Sequence, residues 1–173
     1  LDICLFSSGT YDPKNEKNIN AEKIKEVIKV NFFGVVECVE AVEKYFKNKK
    51  SGQISIVSSI AGYRGLPNSS GYGPSKAALT NFTESIYFDF KKHNVKVSLV
   101  SPGFIKTPLT DKNEFSMPFL RSPKFAADKI YQGLINSKSF EIHFPKQLTL
   151  LLKFFRILPY KIYLFIIDKS VKR

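Results

Sequence analysis

A serine, a tyrosine and a lysine stand in the order needed to move a proton to or from a substrate oxygen. Ser59 lies in Ser58-Ser59-Ile60-Ala61-Gly62, and Tyr72 and Lys76 lie in Gly71-Tyr72-Gly73-Pro74-Ser75-Lys76-Ala77-Ala78-Leu79. Ser59 precedes Tyr72 by thirteen residues, and Lys76 follows Tyr72 by four. Positions four apart share one face of a helix, so Lys76 can bring its ammonium beside the Tyr72 phenol. A free tyrosine titrates near ~10 and is a sluggish base at neutral pH. A fixed cation favours the phenolate, and a downward move of roughly three units corresponds to about 4 kcal/mol. Ser59 would donate a hydrogen bond to the same substrate oxygen.

The tyrosine–lysine spacing alone identifies nothing. Tyr45 with Lys49 and Tyr87 with Lys91 repeat it, as expected by chance in a chain with 8 Tyr and 27 Lys plus Arg. Both of those pairs are read as solvated helix faces. Only Tyr72 has a serine upstream after a strand-like run, a glycine-bearing loop between, and a Pro-Gly turn downstream.

With these motifs in place the chain resembles the short-chain dehydrogenase/reductase family. That resemblance implies hydride transfer between NAD or NADP and a small-molecule carbonyl or alcohol. It makes Asn31, in Val30-Asn31-Phe32-Phe33-Gly34, the fourth member of a catalytic tetrad with Ser59, Tyr72 and Lys76. Asn31 would hold the proton path to the lysine through its backbone and a water. The run Ser101-Pro102-Gly103-Phe104-Ile105-Lys106-Thr107 resembles the turn that cups the nicotinamide. Pro102, Gly103, Ile105 and Thr107 are therefore cofactor-binding candidates, together with Gly9, Asn31, Tyr72 and Lys76. The match covers roughly residues 1 to 145. It departs at Phe6-Ser7-Ser8-Gly9, where the family carries Asn-Asn-Ala-Gly; Ser7 and Ser8 are candidates to replace part of that bracing.

The elements that must position these residues alternate. Leu1–Ser8 reads as a buried strand, Ala21–Lys47 as a long helix, and Gln53–Val57 as a β-branched strand. Tyr72–Lys91 reads as the next helix and Val95–Val100 as the next strand. Ser122–Asn136 is a helix opened by a serine cap and Pro123, and Phe140–Phe144 a short last strand. Such alternation predicts an α/β fold with a doubly wound parallel sheet, Rossmann-like, with ligands beyond the carboxyl ends of the strands. Gly9, Ser59 and Pro102 fall at those ends.

No glycine-rich phosphate loop precedes any strand, and the chain opens inside an apolar run. It reads as the C-terminal half of a Rossmann-like domain (1–145), incomplete and inactive alone, followed by a basic, apolar helical tail (146–173). Cys4 and Cys38 read as buried thiols of a reducing compartment, and no metal set is present. His93 and His143 read as surface or loop residues. The net charge of +12 comes mainly from dispersed lysine, without an arginine-rich stripe, so nucleic acid is not an expected partner.

In the tail, Lys146, Thr149, Lys153 and Arg156 form a polar stripe opposite Leu148, Leu151, Leu152, Phe155 and Leu158, and Pro159 breaks the pattern. Three readings remain open: cover for the cleft or a subunit, a peripheral membrane contact, or a bilayer span. Packing is preferred. Next to the cleft, the tail would suit a hydrophobic substrate. Together these features read as a cytoplasmic, homo-oligomeric oxidoreductase with membrane association as a further option. Its rivals are a noncatalytic remnant of the fold and a membrane-associated binding protein.

Overall fold

The computed structural model describes residues 1–136 and 139–170. The end of the tail, 171–173, lies outside the described residues. Four parallel strands in the order β1-β2-β3-β4 form one sheet: β1 (Ile3–Phe6), β2 (Gln53–Val57), β3 (Lys96–Pro102) and β4 (Glu141–Phe144). Ile3 pairs with Gln53, Gln53 with Lys96, and Leu99 with Glu141. This register brings the carboxyl ends of the strands to one edge of the molecule.

Strand parity sorts the side chains between two faces. Ile54, Ile56 and Val97 pack with Val35, Val39, Phe46, Leu79 and Phe90 from α3 (Gly34–Lys49) and α4 (Tyr72–Lys91). Val57 and Val100 face the other way, against Ala126, Phe125 and Ile130 of α5 (Pro123–Asn136). Helices therefore cover both faces, as a doubly wound sheet requires. Beside Val57 and Val100 the same face is polar: Gln53 donates to Ser55 and Ser98, whose hydroxyls meet at 2.6 Å. The cap at Ser122 forms, its Oγ accepting from Phe125 N–H at 3.2 Å.

A short helix α1 (Pro13–Glu16) occupies the loop after β1. The long helix expected at Ala21–Lys47 is α2 (Ala21–Ile28) joined to α3 by a π-turn at Lys29–Phe33. Asn20 caps it, its Oδ1 accepting from Lys23 N–H at 3.1 Å.

The tail forms two helices on either side of Pro159, α6 (Lys146–Ile157) and α7 (Tyr160–Ser170). It is fastened to the loop after β2. Arg64 Nη1 donates to Phe155 O at 2.7 Å and Leu158 O at 2.8 Å, satisfying carbonyls at the end of α6. Its guanidinium lies over the rings of Tyr160 and Tyr163, and Tyr163 Oη donates to Gly65 O at 2.6 Å. Among the described residues no helix is long and apolar enough to cross a membrane. The spanning option is thereby removed for them.

Several local expectations are corrected. Thr149 is fully buried, held by Pro145 O and His143, so it leaves the polar stripe; Leu151 is exposed and leaves the inward face. His143 belongs to β4 and is half-buried. Tyr87 packs on the core against Phe140, whereas Tyr45 is exposed as expected. Cys4 is half-buried, but Cys38 is exposed.

Candidate active site

The site forms where β1, β2 and the first turn of α4 converge. β2 ends at Val57, and Ser59 continues in extended conformation before a 3₁₀ turn at Ile60–Gly62. Ser59 Oγ caps that turn by accepting from Ala61 N–H at 3.2 Å. Gly62 allows the turn to press on α4: a Cβ there would fall 2.8 Å from the Lys76 carbonyl carbon and oxygen. Ser58 Oγ reinforces the approach, donating to Lys76 O at 2.8 Å. Two neighbouring serines thus divide the work, Ser58 fixing the backbone and Ser59 reaching the site.

Tyr72 is the first residue of α4. The helix start is held by Glu16, a buried carboxylate from α1. Its oxygens accept from Gly71 N–H at 2.6 Å, Tyr72 N–H at 3.0 Å and Ser70 Oγ at 3.2 Å. Orphan amides at a helix start and a carboxylate stabilise each other by hydrogen bonding and by the helix dipole. Tyr11 lies on the other side, its ring centroid 4.9 Å from that of Tyr72. Burial pushes the Tyr11 phenol up to about 12, with the Glu16 charge adding to it.

Lys76 follows one turn later and is almost completely buried. Its Nζ donates to Val57 O at 3.1 Å and stands 5.7 Å from the Tyr72 ring centroid. Burial lowers its pKa to about 8. Burial also raises the Tyr72 phenol, with the polar influence of the Ser59 hydroxyl opposing the rise. The four-residue spacing of Tyr72 and Lys76 predicts the reverse, a phenol lowered by the lysine. The carbonyl of Val57 holds the ammonium, and loss of water around the phenol dominates its titration.

Asn31 is fully buried in the π-turn, a rare local form often found at functional sites. Its Oδ1 accepts from Thr10 N–H at 2.6 Å, and its Nδ2 donates to Thr10 O at 3.0 Å and Ser75 Oγ at 3.0 Å. Ser75 in turn donates to Tyr72 O at 2.7 Å. The side chain therefore ties the loop after β1 to the helix of Tyr72. Gly9 completes the cluster: a Cβ there would lie 3.4 Å from Lys76 Nζ and 3.5 Å from Asn31 Oδ1. Ser7 and Ser8 are exposed, so bracing at this edge passes through Thr10 and Asn31 instead.

Pro102 ends β3, Gly103, Ile105 and Thr107 follow it, and all four are held by other neighbours. Pro102 pairs with Phe144, and Gly103 N–H donates to Phe144 O at 2.7 Å. A Cβ on Gly103 would lie 3.1 Å from both Leu148 and Pro145, which gives this glycine a packing reason at the start of α6. Ile105 bridges Arg121 and packs against the α5 cluster. Thr107 N–H donates to Thr110 Oγ1 at 2.9 Å within a local turn.

Sequence reasoning missed Glu16, Thr10, Tyr11, Ser58 and Ser75. It also missed a second polar group beneath the tail. There Tyr63 Oη donates to Glu141 at 2.6 Å, and Lys153 pairs with the same carboxylate at 2.5 Å. Burial alone would raise Glu141, but the contacts from Lys153 and Tyr63 hold it below its ordinary value.

Comparison with known proteins agrees with this layout. The short chain dehydrogenase family model matches residues 1–116. An uncharacterized oxidoreductase of Myxococcus xanthus is 33% identical over 159 residues, covering 92% of this chain and 62% of that protein. A 3-oxoacyl-[acyl-carrier-protein] reductase of Thermotoga maritima is 37% identical over 112 residues, covering 65% of this chain and 46% of that protein. A short chain dehydrogenase of Burkholderia cenocepacia, solved in complex with NADP, shares the fold with a TM-score of 0.76 at 22% identity. That superposition covers 87% of this chain and 62% of the other. The chain thus spans 62% or less of each of these relatives. A match over its first 116 residues, on a parallel sheet whose carboxyl edge gathers a serine, a tyrosine and a lysine, makes this chain a member of the short-chain dehydrogenase/reductase family.

Proposed function

We propose that this chain carries the proton-transfer half of an oxidoreductase site that moves a hydride between NAD or NADP and a carbonyl or alcohol. The observation that carries this reading is the meeting of Ser59, Tyr72 and Lys76 at one sheet edge, with Asn31 and Gly9 beside the lysine. When bound, the nicotinamide supplies or accepts the hydride.

The residues present fit the ribose end of such a cofactor. A Cβ on Gly9 would stand in ordinary contact with Lys76 Nζ, at 3.4 Å, so the bare glycine adds room for ribose hydroxyls beside an ammonium that the protein otherwise buries. Lys76 and Tyr72 would hold those hydroxyls, and Pro102–Thr107 would border the nicotinamide.

Tyr72 acts as the general acid/base. Its burial favours the neutral phenol, so at neutral pH it stands ready to give a proton to an oxygen that has just gained charge. Ser59 donates to the same oxygen and orients it. Lys76, with a pKa of about 8, remains mainly cationic at pH 7 and would stabilise the phenolate left behind. Asn31 positions Tyr72 through Ser75 and the loop through Thr10.

The test, made in the intact protein, is turnover of a carbonyl substrate followed by reduced-cofactor absorbance, with cofactor affinity measured by titration. Tyr72→Phe should lower kcat by about 10²–10⁴-fold, with a much smaller loss of cofactor affinity from the missing ribose contact. Lys76→Ala should weaken both. Tyr45→Phe should match the parent protein. A Tyr72→Phe variant as active as the parent would overturn the assignment. Cofactor binding with no turnover of any carbonyl or alcohol would favour a noncatalytic role for the fold.

A further inference from the structure

The tail helices carry more apolar surface than the protein buries. On α6, Leu148 and Leu152 face the cluster formed with Ile60 and Tyr63. On its opposite side, Leu150, Leu151, Phe154 and Ile157 are 56%, 47%, 55% and 77% exposed. Their spacing forms one stripe along the helix. On α7, Tyr163 is buried, while Leu164 and Phe165 are 60% and 65% exposed. A helix with apolar residues on both sides needs a second apolar medium.

The charge pattern indicates which medium. Residues 146–173 contain seven Lys or Arg and one Asp. Two of the lysines stand within the exposed apolar surface. Lys161 is one turn from both Leu164 and Phe165, and Lys169 Nζ lies 5.9 Å from the Phe165 ring. The centre of a protein–protein interface is depleted in lysine, because burying an ammonium is costly. At a bilayer surface the same lysine lays its stem along the acyl boundary and extends its ammonium to lipid phosphates.

We propose that the outward face of α6 and α7 is an interfacial binding surface for anionic lipid bilayers, with the helices lying in the plane of the membrane. Helix length supports this orientation: α6 has 12 residues and α7 has 11, each too short to cross. The face has a fixed direction relative to the sheet, because Arg64 binds the carbonyls of Phe155 and Leu158 and stacks on Tyr160 and Tyr163. The inference is independent of the hydride-transfer reading.

The chain has no tryptophan, so a single introduced one reports its own surroundings. In the full chain, Phe154→Trp should show a blue-shifted emission with vesicles containing phosphatidylglycerol, and a much smaller shift with phosphatidylcholine alone. Leu150→Trp provides a second reporter. Tyr131→Trp on α5, where the native side chain is 67% exposed, should not shift. Co-sedimentation with the anionic vesicles should weaken as salt rises, and Phe154→Ser with Ile157→Ser should reduce it by about tenfold or more. The proposal is overturned if neither tail reporter shifts, or if the α5 reporter shifts equally. It is also overturned if the serine variant disperses a dimer in sedimentation velocity while the parent does not bind vesicles. That last result assigns the face to a second copy of the chain.

Discussion

Lys76 directs its ammonium at Val57, whose carbonyl oxygen at the end of β2 accepts a hydrogen bond at 3.1 Å. The contact joins the central sheet to the helix that carries Tyr72. It also leaves a cation in a place from which water is nearly excluded.

A stability test follows from that burial. Lys76 titrates near 8 in the folded protein, below the ordinary 10.5. Below pH 8 the folded state must hold a buried charge that the unfolded chain hydrates freely. The penalty is full there, fades as pH rises from 8 to 10.5, and vanishes above. Lys76→Met removes the charge but leaves Val57 O unpaired, so it should stabilise by about 1–2 kcal/mol at pH 7. Urea denaturation at pH 7 and at pH 10.5 measures the difference. A variant less stable than the parent at pH 7 would contradict the burial argument.

Glu16 should act on Tyr72 without touching substrate. Glu16→Ala strips three acceptor contacts from the start of α4 and should cost about 1–3 kcal/mol. Glu16→Gln keeps a carbonyl oxygen and should cost less. If the carboxylate positions Tyr72, kcat should fall in both variants with KM for the carbonyl substrate little changed, and Gln should recover part of the loss. Equal kcat in the parent and the Ala variant would reduce Glu16 to a purely stabilising role.

Gly62 sets the distance between the two halves of the site. In Gly62→Ala the new methyl would meet the Lys76 backbone at 2.8 Å, forcing the 3₁₀ turn away from α4. Overpacking of this kind should cost about 1–3 kcal/mol and lower Tm. It should also weaken the contact between Ser59 and Tyr72. Because that contact lowers the phenol pKa, ultraviolet difference titration should show the Tyr72 phenol rising further. An unchanged titration beside a lowered Tm would mean that Ser59 and Tyr72 move together.

The site was legible where chemistry is written in short stretches. Tyr72 and Lys76 lie on one helix, and Ser59 follows directly from an apolar strand, so spacing and strand ends sufficed. Glu16 was not legible, because its partners lie more than fifty residues away and an acidic residue in a polar loop resembles any solvated charge. The direction of the Tyr72 shift was missed for a related reason. Spacing puts a cation near a phenol, but only the packed structure reveals Val57 as the ammonium's partner. In the fold, all four strands were visible from their apolar runs, but the first, expected buried over Leu1–Ser8, is Ile3–Phe6 with Ile3 and Leu5 exposed. The polar pairing of Gln53, Ser55 and Ser98 on one sheet face was not visible. Leu151 and Thr149 exchanged expected sides because α6 is apolar around most of its circumference, so periodicity alone could not choose which side faces inward.

The Glu16 carboxylate has a last implication for where a nucleotide can lie. Helix starts are the usual landing points for phosphates in parallel α/β proteins, since their free amides and dipole attract negative charge. At α4 those amides already have an anion, supplied by the protein itself. A pyrophosphate approaching that helix would meet repulsion and no vacant donors. The charged end of a dinucleotide must therefore be received elsewhere, and α4 can offer it only the side chains of Tyr72 and Lys76. Reversing the charge at position 16, as in Glu16→Lys, would not open a phosphate site; it would place a cation against the positive end of the helix and dismantle the turn that carries Tyr72.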